Sequence, residues 1–535
     1  MSEIKSRISE FLKDFVQNEF GVDHTPVISA TKDEKFGDYS ITSPFQLAKQ
    51  LKKSPTDIAS KLAEALKTRF ADEIESVDVV KGFVNITFSR KFLQQVVESA
   101  VSPEYGKCNA GKGLKINLEF VSANPTGPLN VVNARAAAVG DSLRHIMRYC
   151  GYDAWSEYYV NDAGGQIRAL RESVKWRMGL RSDLPQDGYG GDYLISYAEK
   201  LKSAGIRDDD EIEKKIVDMI LSDQMKTLER FRVKFDVITR ESFIRKSKYP
   251  DLLTRKLKEL NLIYEKDGAV YLKTTDIGGI DEKDRVLVRS NGEPTYFFFD
   301  LAYHMYKFDR GFQKVVDFWG PDHHGYIPRM KAGLRALGLN DNRFDVKIIQ
   351  QVNIIKGGKK VRMSKRKGEL YTLDELLDEV NVDAARFFFL LRSYSSHLDF
   401  DIDLAKEIST KNPVYYVQYA HARISSIFKK AKEKGLSHEG ADLSLLTAPE
   451  ERSLMREILF FPDVLEEISE KIEPHPITYY LTGIAEKFHN YYQKHTVADP
   501  KNPGLSAARL QFVRAVQNVI KIGLNLIGVN APEEM

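Results

Sequence analysis

The first hundred residues alternate between the hydrophobic spacing of helices and that of strands. Apolar residues recur every three or four positions over residues 4–20, which predicts an amphipathic helix. A further helix is predicted to begin at Pro55, directly after a serine that can cap it. The β-branched run at 77–88 predicts two strands that turn at Gly82. Residues 1–105 are therefore predicted to form a separate α+β module.

From Leu114 onward, strands alternate with helices. The apolar strand KINLEFV leads through a turn dense in Asn, Pro and Gly into an Ala- and Leu-rich helix at 134–149. Further strands are predicted at 154–160, 315–319 and 346–352. A strand, a tight loop and a helix typically open a doubly wound parallel sheet, which binds ligands at the carboxyl ends of its strands. We predict a Rossmann-like α/β domain over 106–411, with an insertion around 185–280.

After residue 412 the hydrophobic spacing is helical to the last residues. Helices are predicted for the segment that begins NPVYYVQYAHAR and for residues 450–470, 477–494 and 505–526. Consecutive amphipathic helices of this length predict an α-helical bundle over 412–535. The predicted fold class is thus multidomain α/β, with an α+β module before the central domain and an all-α bundle after it.

Composition narrows the class of protein only slightly. Two cysteines, Cys108 and Cys150, cannot build a disulfide framework or a zinc cluster, and they fit a reducing compartment. The first residues, MSEIKSRISEFLKDF, lack the features of a secretory signal, and no apolar run is long enough to span a membrane. We expect a cytoplasmic protein without a membrane partner. The net charge of +3 neither demands nor excludes a polyanionic partner.

Two loops of the central domain have features that suit a phosphate group. Residues 122–133 join a strand to a helix N-terminus, where free backbone N–H groups and the helix dipole favour an anion. Residues 357–369 carry glycines near both ends, and the segment from Lys356 to Lys367 contains seven cations and no acid. A mobile cationic loop can clamp a charged transition state and then release it. On these features alone, an ordinary turn is the favoured interpretation of the first loop, and a solvated basic loop is as open as a phosphate clamp for the second.

The second loop contains Met363-Ser364-Lys365-Arg366, which resembles the KMSKS signature of class I aminoacyl-tRNA synthetases. Their HIGH signature would fall at 130–133. Eight blocks resemble arginyl-tRNA synthetases in the order of that family: EFVSANPTGPLN, ARAAAVGD, EYYVNDAGGQ, TYFFFDLAYHMYKFDRGF, WGPDHHGYIPRMKA, NVDAARFFFLL, NPVYYVQYAHAR and GVNAPEEM. The chain is therefore identified as a member of that family.

The resemblance implies a ligase that attaches arginine to its tRNA. ATP activates L-arginine to arginyl-adenylate, Mg²⁺ accompanies the ATP, activation usually requires bound tRNA, and the arginine tRNA then receives the amino acid. The family is mostly monomeric, and no structural metal is expected. The resemblance assigns D-loop contact to 1–105, catalysis to 106–411 and anticodon binding to 412–535.

The family's motifs place candidate residues for ATP at the two loops and at a third strand end. Lys365 is the candidate that stabilises charge on the α-phosphate. The other residues expected at ATP are Asn124, Pro125, Thr126, Gly127, Pro128, Leu129, Asn130, Val131, Val132, Asn133, Asp322, His323, His324, Gln351, Met363, Ser364 and Arg366. The adjacent histidines also suggest a metal, but no other His or Cys cluster accompanies them.

The resemblance also implies a pocket for arginine. Glu119 and Asn124 match the acid and the asparagine that hold the backbone groups of the substrate. Tyr296 and Asp300 match the residues that read the guanidinium, and their spacing of four puts them on one face of a predicted helix. Carboxylates suit the rigid donor fork of a guanidinium. An ordinary core helix that carries one acid is the alternative reading of this segment.

Positions expected at tRNA lie at both ends of the chain. Phe83 and Asn85 match the D-loop contact, where an aromatic ring and an amide can read an unstacked base. A strand core residue and a turn amide fit the same two positions equally well. The positions that match anticodon contacts are Tyr416, Ala420, Tyr492 and Met535.

The chain departs from the family at the first signature, where HxGH is replaced by Asn130-Val131-Val132-Asn133. Both asparagines are catalytic candidates, since amides can donate hydrogen bonds, although they cannot become cationic. Val132 would crowd the adenine where a glycine allows close approach. Two hypotheses therefore remain open: an active ligase in which Lys365 and the helix N-terminus carry the phosphate charge, and an impaired paralogue that binds tRNA or senses arginine. A nucleotidyltransferase of the same superfamily that uses another acid is a more remote alternative.

Overall fold

The computed structural model describes residues 3–339, 342–361 and 371–535, and its first part is an α+β module. The elements of this module are α1 (Glu3–Phe20), β1 (Ile28–Ala30), β2 (Tyr39–Ile41), α2 (Ser43–Leu51), α3 (Pro55–Arg69), β3 (Ile74–Val80), β4 (Phe83–Phe88) and α4 (Arg90–Ala100). Its antiparallel sheet has the order β1-β2-β4-β3. The predicted turn lies between β3 and β4, where Gly82 has a φ of +91° that favours glycine.

The central domain is built on five parallel strands. Its elements are β5 (Lys115–Glu119), α5 (Val131–Tyr149), β6 (Asp153–Val160), α6 (Gly165–Met178), α7 (Tyr193–Ser203), α8 (Asp209–Arg230), β7 (Val237–Arg240), α9 (Glu241–Lys246), α10 (Tyr249–Glu259), β8 (Ile263–Lys266), β9 (Ala269–Leu272), β10 (Arg285–Val288), α11 (Tyr296–Asp309), β11 (Lys314–Trp319), α12 (Ile327–Ala336), β12 (Phe344–Ile348), β13 (Val352–Lys356), β14 (Lys359–Lys360), α13 (Leu373–Glu379), α14 (Val382–Phe389), β15 (Leu398–Asp401) and α15 (Ile402–Lys406). The sheet order is β12-β11-β5-β6-β7. The strand order reverses at β5, so the crevice at the carboxyl end of β5 is the place where such sheets bind ligands.

Two expectations about the central domain are corrected. The predicted insertion at 185–280 contains β7, which pairs in parallel with β6 and therefore belongs to the sheet. This strand has four residues at the sheet edge, and no apolar run marks it. The predicted single strand at 346–352 is two strands, β12 and β13, which belong to different sheets. The domain boundaries at 105/106 and 411/412 stay predictions.

Two small sheets extend the central domain. Strands β10, β9 and β8 form an antiparallel sheet in that order. In the other small sheet β13 is parallel to β15 and antiparallel to β14. Strand β14 leads into residues 362–370, which are outside the described residues.

A helical bundle follows the central domain, and with it the predicted fold class is confirmed. Its helices are α16 (Pro413–Glu433), α17 (Pro449–Lys471), α18 (Pro476–Lys494) and α19 (Pro503–Leu526). Each starts with a proline, whose missing N–H would have no partner in the first turn of a helix. In the part of the chain that the structure describes, no helix combines the length and apolar character needed to cross a membrane.

The N-terminal module docks on the bundle through a buried carboxylate. Asp38 accepts hydrogen bonds from the Phe88 N–H at 2.7 Å and from Arg452 at 2.9 Å, and Arg456 lies 3.2 Å from its other oxygen. Tyr39 also donates to Asp463 of α17. The contacts with Arg452, Arg456 and Asp463 join residues more than 400 positions apart, so the N-terminal module and the bundle are held together.

Helix α5 is joined to the rest of the molecule through a buried ion pair. Arg386 of α14 is fully buried, and its Nη2 donates to Asp141 of α5 at 2.7 Å. Arg386 also donates to the carbonyls of Ile527 and Phe231, at 2.7 and 3.0 Å. Burial alone would raise the pKa of Asp141, but Arg386 and neighbouring cations outweigh it and lower the pKa. One guanidinium therefore connects α5, α14, the end of α8 and the end of the bundle.

We expect Arg386→Met to destabilise the protein by about 3–5 kcal/mol, because Asp141 Oδ2 and the carbonyls of Ile527 and Phe231 lose their donor. Arg144 stays 2.8 Å from the other oxygen of Asp141 in this variant. Urea unfolding measures the loss. The pKa of Asp141 is lower in the folded protein than the ordinary carboxyl value of ~3.9, so the ion pair stabilises the fold fully at pH values above that range. This stabilisation is lost as the pH falls through the pKa of the folded protein.

Arg230→Met is a matched control for that variant. Arg230 makes ion pairs with Asp374 and Asp378 that are largely exposed, so its loss should cost about 1 kcal/mol or less. Equal losses in the two variants would contradict a special role for the buried pair.

Candidate active site

The backbone is strained where β5 passes into the loop that follows it. Val121 and Ser122 have φ angles of +69° and +36°, and a β-branched residue rarely adopts such values. Strain of this kind costs on the order of 1–3 kcal/mol and persists where the surroundings fix it. Here Ser122 Oγ donates to Glu119 Oε1 at 2.9 Å and accepts from the Tyr159 N–H at 3.0 Å. The turn thus ties the loop to the ends of β5 and β6.

Side chains of other elements donate hydrogen bonds to the backbone carbonyls of this loop. The buried Gln224 of α8 donates through Nε2 to the carbonyls of Asn124 and Gly127, at 3.1 and 2.8 Å. Two tyrosine hydroxyls make similar bonds: Tyr193 to Thr126 O at 2.5 Å, and Tyr158 to Ala123 O at 3.0 Å. Sequence reasoning missed Gln224, which lies 100 residues from Asn124 in a charged helix without a motif. The first candidate phosphate loop is therefore fixed in shape by α7, α8 and β6.

The two asparagines of the altered signature cap α5. Asn130 Oδ1 accepts from the N–H groups of Val132 and Asn133 at 2.9 and 3.1 Å, and Asn133 Oδ1 accepts from the Asn130 N–H at 3.0 Å. This reciprocal arrangement is a capping box. It corrects the expectation that the N–H groups at this helix end are free, since these three have partners. Each side-chain amide uses its oxygen in the cap and keeps its two N–H donors for other partners.

The residues around the cap differ in what they can offer to a nucleotide. Pro125, Leu129 and Val131 are buried, so at most their backbone can face a ligand. Pro128 is exposed, and Val132 is partly buried against the core. The Leu129 carbonyl accepts from the N–H of Leu373 at 2.8 Å, which links this turn to the segment after the second candidate loop.

The predicted arginine residues Tyr296 and Asp300 lie one turn apart at the start of α11. Asp300 accepts a hydrogen bond from the Tyr326 hydroxyl at 2.5 Å, and burial raises the pKa of this carboxyl. Tyr296 is 49% exposed, and a Cβ at Gly164 would lie 3.1 Å from its hydroxyl oxygen. Asn124 bridges Gln166 and Asn161, at 2.6 and 2.9 Å.

Glu119 belongs to a row of three buried carboxylates. In the register of the sheet, Asp317 of β11 and Glu157 of β6 lie on either side of Glu119. Lys307 of α11 is fully buried and lies 2.5 Å from Glu119 and 2.7 Å from Asp317. Arg310, one turn later, pairs with Glu157. Two cations on one helix face therefore neutralise most of the row.

The neighbours of this row determine how its members ionise. Burial raises the pKa of Glu119, and Lys307 only partly offsets this. Burial would also raise the pKa of Asp317, but Lys307 and His304 outweigh it and lower the pKa. Glu119 already accepts from Ser122, Tyr303 and Lys307. A carboxylate has about four lone-pair sites, so one remains for the predicted contact with arginine.

Sequence reasoning also missed Lys307, although a signal for it exists. Asp300, Tyr303 and Lys307 follow the i, i+3, i+7 spacing of one helix face. Once Asp300 is assigned to a site, this spacing indicates that Tyr303 and Lys307, on the same face of α11, lie near that site too. A buried lysine is rare unless it is paired, and here it balances acids on two strands.

Other predicted ATP residues lie at the carboxyl edge or outside the described chain. Asp322, His323 and His324 are exposed in a short 3₁₀ turn after β11, where the His323 ring packs on Trp319. Gln351 immediately precedes β13. Met363, Ser364, Lys365 and Arg366 lie outside the described residues. Among residues 3–339, 342–361 and 371–535, no three His, Cys, Asp or Glu side chains group in a way that could hold a metal ion.

The positions predicted to contact tRNA differ in exposure. Phe83 is partly exposed and packs edge-on against Phe45, with ring centroids 4.9 Å apart, whereas Asn85 is buried within β4. In the bundle, Tyr416 packs on His489. Ala420 is buried, Tyr492 is partly exposed, and Met535 is exposed. These assignments stay predictions.

The fold and the site have the features of a class I aminoacyl-tRNA synthetase, and family models agree. The models for the arginyl tRNA synthetase N terminal domain, the tRNA synthetases class I (R) catalytic domain and the DALR anticodon binding domain match residues 2–88, 193–389 and 417–535. Over the full length of both chains, the sequence is 43% identical to the arginine--tRNA ligase of Thermotoga maritima and 42% identical to that of Listeria monocytogenes. The chain belongs to the arginyl-tRNA synthetase family.

Solved structures agree with this assignment. An arginyl-tRNA synthetase structure from Campylobacter jejuni has a TM-score of 0.76 at 33% identity and covers 84% of this chain and all of its own. The Thermus thermophilus arginyl-tRNA synthetase has a TM-score of 0.81 at 22% identity, with 99% and 100% of the two chains covered. The second likeness concerns the fold alone.

The capping box makes a prediction about stability. We expect Asn130→Ala to destabilise the protein by about 1 kcal/mol, because two N–H groups at the start of α5 lose their acceptor. Thermal unfolding measures the change. Asn525→Ala, at an exposed position near the end of α19, is the control and should have little effect. A melting temperature that falls no further for Asn130→Ala than for the control would contradict the cap.

The contacts of Gln224 make a prediction about the loop. Gln224→Met keeps the length of the side chain and removes the donor to two carbonyls. Losing about 1 kcal/mol per hydrogen bond should speed hydrogen exchange in residues 122–129 roughly 5- to 30-fold. Mass spectrometry of the exchanged protein measures this, with Gln95→Met on the surface of α4 as control. Unchanged exchange in this loop would show that the tyrosines alone hold it.

Proposed function

We propose that this chain is an arginine--tRNA ligase that works through an arginyl-adenylate. The observation that carries the proposal is the pair of carboxylates at the carboxyl edge of the sheet, the buried Glu119 and the partly buried Asp300. They lie beside a loop whose carbonyl groups are hydrogen-bonded by side chains of other elements. Buried acceptors suit a guanidinium and would be left unpaired by an uncharged amino acid. The full-length likeness to arginine--tRNA ligases does not favour the alternative of a tRNA-binding paralogue.

In the first step, a carboxylate oxygen of arginine attacks the α-phosphorus of ATP. The bond from that phosphorus to the bridging oxygen breaks, and pyrophosphate leaves. Asp300 and Tyr296 hold the guanidinium, while Glu119 and Asn124 hold the amino-acid backbone groups. Because these residues and the loop at 122–133 meet at one strand end, they hold the two reactants in the orientation that attack requires.

We propose that Lys365 and the side-chain amide N–H groups of Asn130 and Asn133 stabilise the negative charge on the phosphates. Neutral amides give weaker bonds than imidazolium, by on the order of 1–2 kcal/mol each. A capped and therefore rigid helix end holds these donors in place without rearrangement. Mg²⁺ is proposed to arrive with the ATP phosphates.

In the second step, a hydroxyl of the terminal tRNA nucleotide attacks the arginyl carbonyl carbon, loses its proton, and AMP leaves. Phe83 is proposed to meet the D-loop, and Tyr416, Tyr492 and Met535 the anticodon. Because Asp38 fixes the N-terminal module to the bundle, both contacts would be made on one rigid support. We propose a monomer that acts in the cytoplasm.

The first experiment is charging of arginine tRNA with radiolabelled arginine by the purified protein. We expect charging by the natural sequence and a fall of about 10²- to 10³-fold in kcat for Lys365→Ala, because charge on the α-phosphate loses its main partner. Lys266→Ala, an exposed lysine of β8, is the control. Normal charging by Lys365→Ala would remove that residue from the mechanism.

The variant Asn130→His, Val132→Gly, Asn133→His tests the altered signature in the same assay. A natural protein that binds tRNA tightly and does not charge it would refute the proposal. Activity gained in the triple variant would then locate the defect at this turn.

A further inference from the structure

The two cysteines of the chain lie side by side where the N-terminal module leads into the central domain. Cys150 directly follows α5 and is fully buried, whereas Cys108 lies between α4 and β5 and is partly buried. The Cys150 thiol donates a hydrogen bond to the Cys108 sulfur. A disulfide joins Cα atoms about 4.4–6.8 Å apart, so thiols in contact can be joined if the two backbone segments are also close.

Backbone hydrogen bonds hold the segment around Cys108 against the end of α5. The Cys108 N–H donates to the Tyr149 carbonyl at 3.4 Å, and the Gly111 N–H donates to the Cys150 carbonyl at 2.9 Å. Gly151 has a φ of +80°, and a Cβ there would lie only 3.1 Å from the Cys108 carbonyl oxygen. The glycine allows this close approach. The two sulfurs can therefore bond to each other without a large movement of either segment.

Helix α17 packs on the other side of the same segment. The Tyr105 hydroxyl donates to the Ile458 carbonyl at 2.8 Å, and its ring stacks on Phe461 with centroids 6.3 Å apart. A Cβ at Gly106 would lie 2.9 Å from the Phe461 ring. The Tyr149 hydroxyl of α5 donates to the Tyr105 carbonyl at 2.8 Å. The segment is thus held between α5 and α17, which keeps the two thiols together.

The two thiols differ in reactivity. The hydrogen bond from Cys150 lowers the pKa of Cys108 to about 6, although burial opposes this. The same hydrogen bond and burial raise the pKa of Cys150. At neutral pH Cys108 is therefore mostly a thiolate, which is the form that attacks a disulfide. Its neighbours Lys107 and Asn109 are exposed, so a small reagent reaches Cys108 first.

We propose that Cys108 and Cys150 form a thiol–disulfide exchange site for small disulfides such as oxidised glutathione. Cys108 is the attacking residue, and Cys150 resolves the mixed disulfide. An accessible thiolate beside a protonated partner is the arrangement that such exchange requires. Neither cysteine belongs to the candidate active site, so this inference does not rest on the proposed function.

The exchange has two steps. The Cys108 thiolate attacks one sulfur of the small disulfide, whose S–S bond breaks, and a thiolate leaves with the electron pair. That thiolate takes the proton of Cys150, which then attacks the Cys108 sulfur and displaces the second small thiolate. The two cysteine sulfurs are oxidised to a disulfide, and the small disulfide is reduced to two thiols.

The product disulfide joins residues that are 42 positions apart in the sequence. A crosslink of this kind restricts the unfolded chain and stabilises the fold when it introduces no strain. Since the thiols already touch, we expect the oxidised protein to melt a few degrees above the reduced protein. In a reducing compartment the bond would be reversible.

The test treats the purified full-length protein with oxidised glutathione and measures its intact mass. We expect the natural chain to lose two hydrogens and to yield a peptide in which Cys108 is linked to Cys150. Cys150→Ala should instead keep one glutathione on Cys108. Cys108→Ser should react at least about 10-fold more slowly, because the remaining thiol is buried and protonated.

The matched control is Ser203→Cys in the Cys108→Ser background, which puts a thiol at the exposed end of α7. This variant should keep a glutathione adduct and form no internal disulfide. A natural protein that also stops at a glutathione adduct would show that Cys150 does not resolve it, and the inference would be wrong.

Two further outcomes would overturn the inference. One is a folded protein that does not react, while both thiols react in urea. The other is an oxidised protein that melts below the reduced one, because the bond would then strain the fold. None of these measurements uses tRNA charging, so failure of the proposed function would leave this test unaffected.

Discussion

Three carboxylates stand side by side in the middle of the central sheet, and the fold depends on their neutralisation. Unpaired, buried charges of this kind would cost several kcal/mol each. Lys307 and Arg310 are close enough to pair with them only when α11 crosses the sheet at one angle and height. The same constraint positions the first turn of α11, which carries Tyr296 and Asp300. The ion pairs between α11 and the three carboxylates therefore also set the position of the predicted arginine pocket.

The altered signature removes two groups that could carry positive charge at the phosphate loop and puts a helix cap in their place. A histidine pair would offer cations to ATP, whereas Asn130 and Asn133 bond to each other's backbone and finish the helix. Loop, cap and helix are then held from one side by Gln224 and from the other by Arg386. Such a site depends less on charge at the signature and more on fixed geometry and on the second, cationic loop.

The sequence predicts those parts of the molecule whose pattern is local. The last three helices of the bundle lie within two residues of their predicted ends, because amphipathic spacing and helix-starting prolines lie within each segment. Strand β7 is four residues long and is stabilised by pairing with β6, so no local pattern marks it. Gln224 and Lys307, by contrast, contact residues that lie ten or more positions away in the chain, and up to 100 positions or more. Motif resemblance finds Tyr296 and Asp300, but it does not find the side chains that support them.

The carbonyl partners of Arg386 bear on how this chain is made on the ribosome. Asp141 emerges early, its partner Arg386 emerges 245 residues later, and Ile527, which accepts from the same guanidinium, follows after a further 141 residues. Domains fold as units during synthesis, starting with the N-terminal ones. The Arg386 guanidinium therefore lacks one of its carbonyl acceptors until Ile527 has been made. Nascent chains should consequently reach their final stability, and their resistance to proteases, only after this residue has left the ribosome.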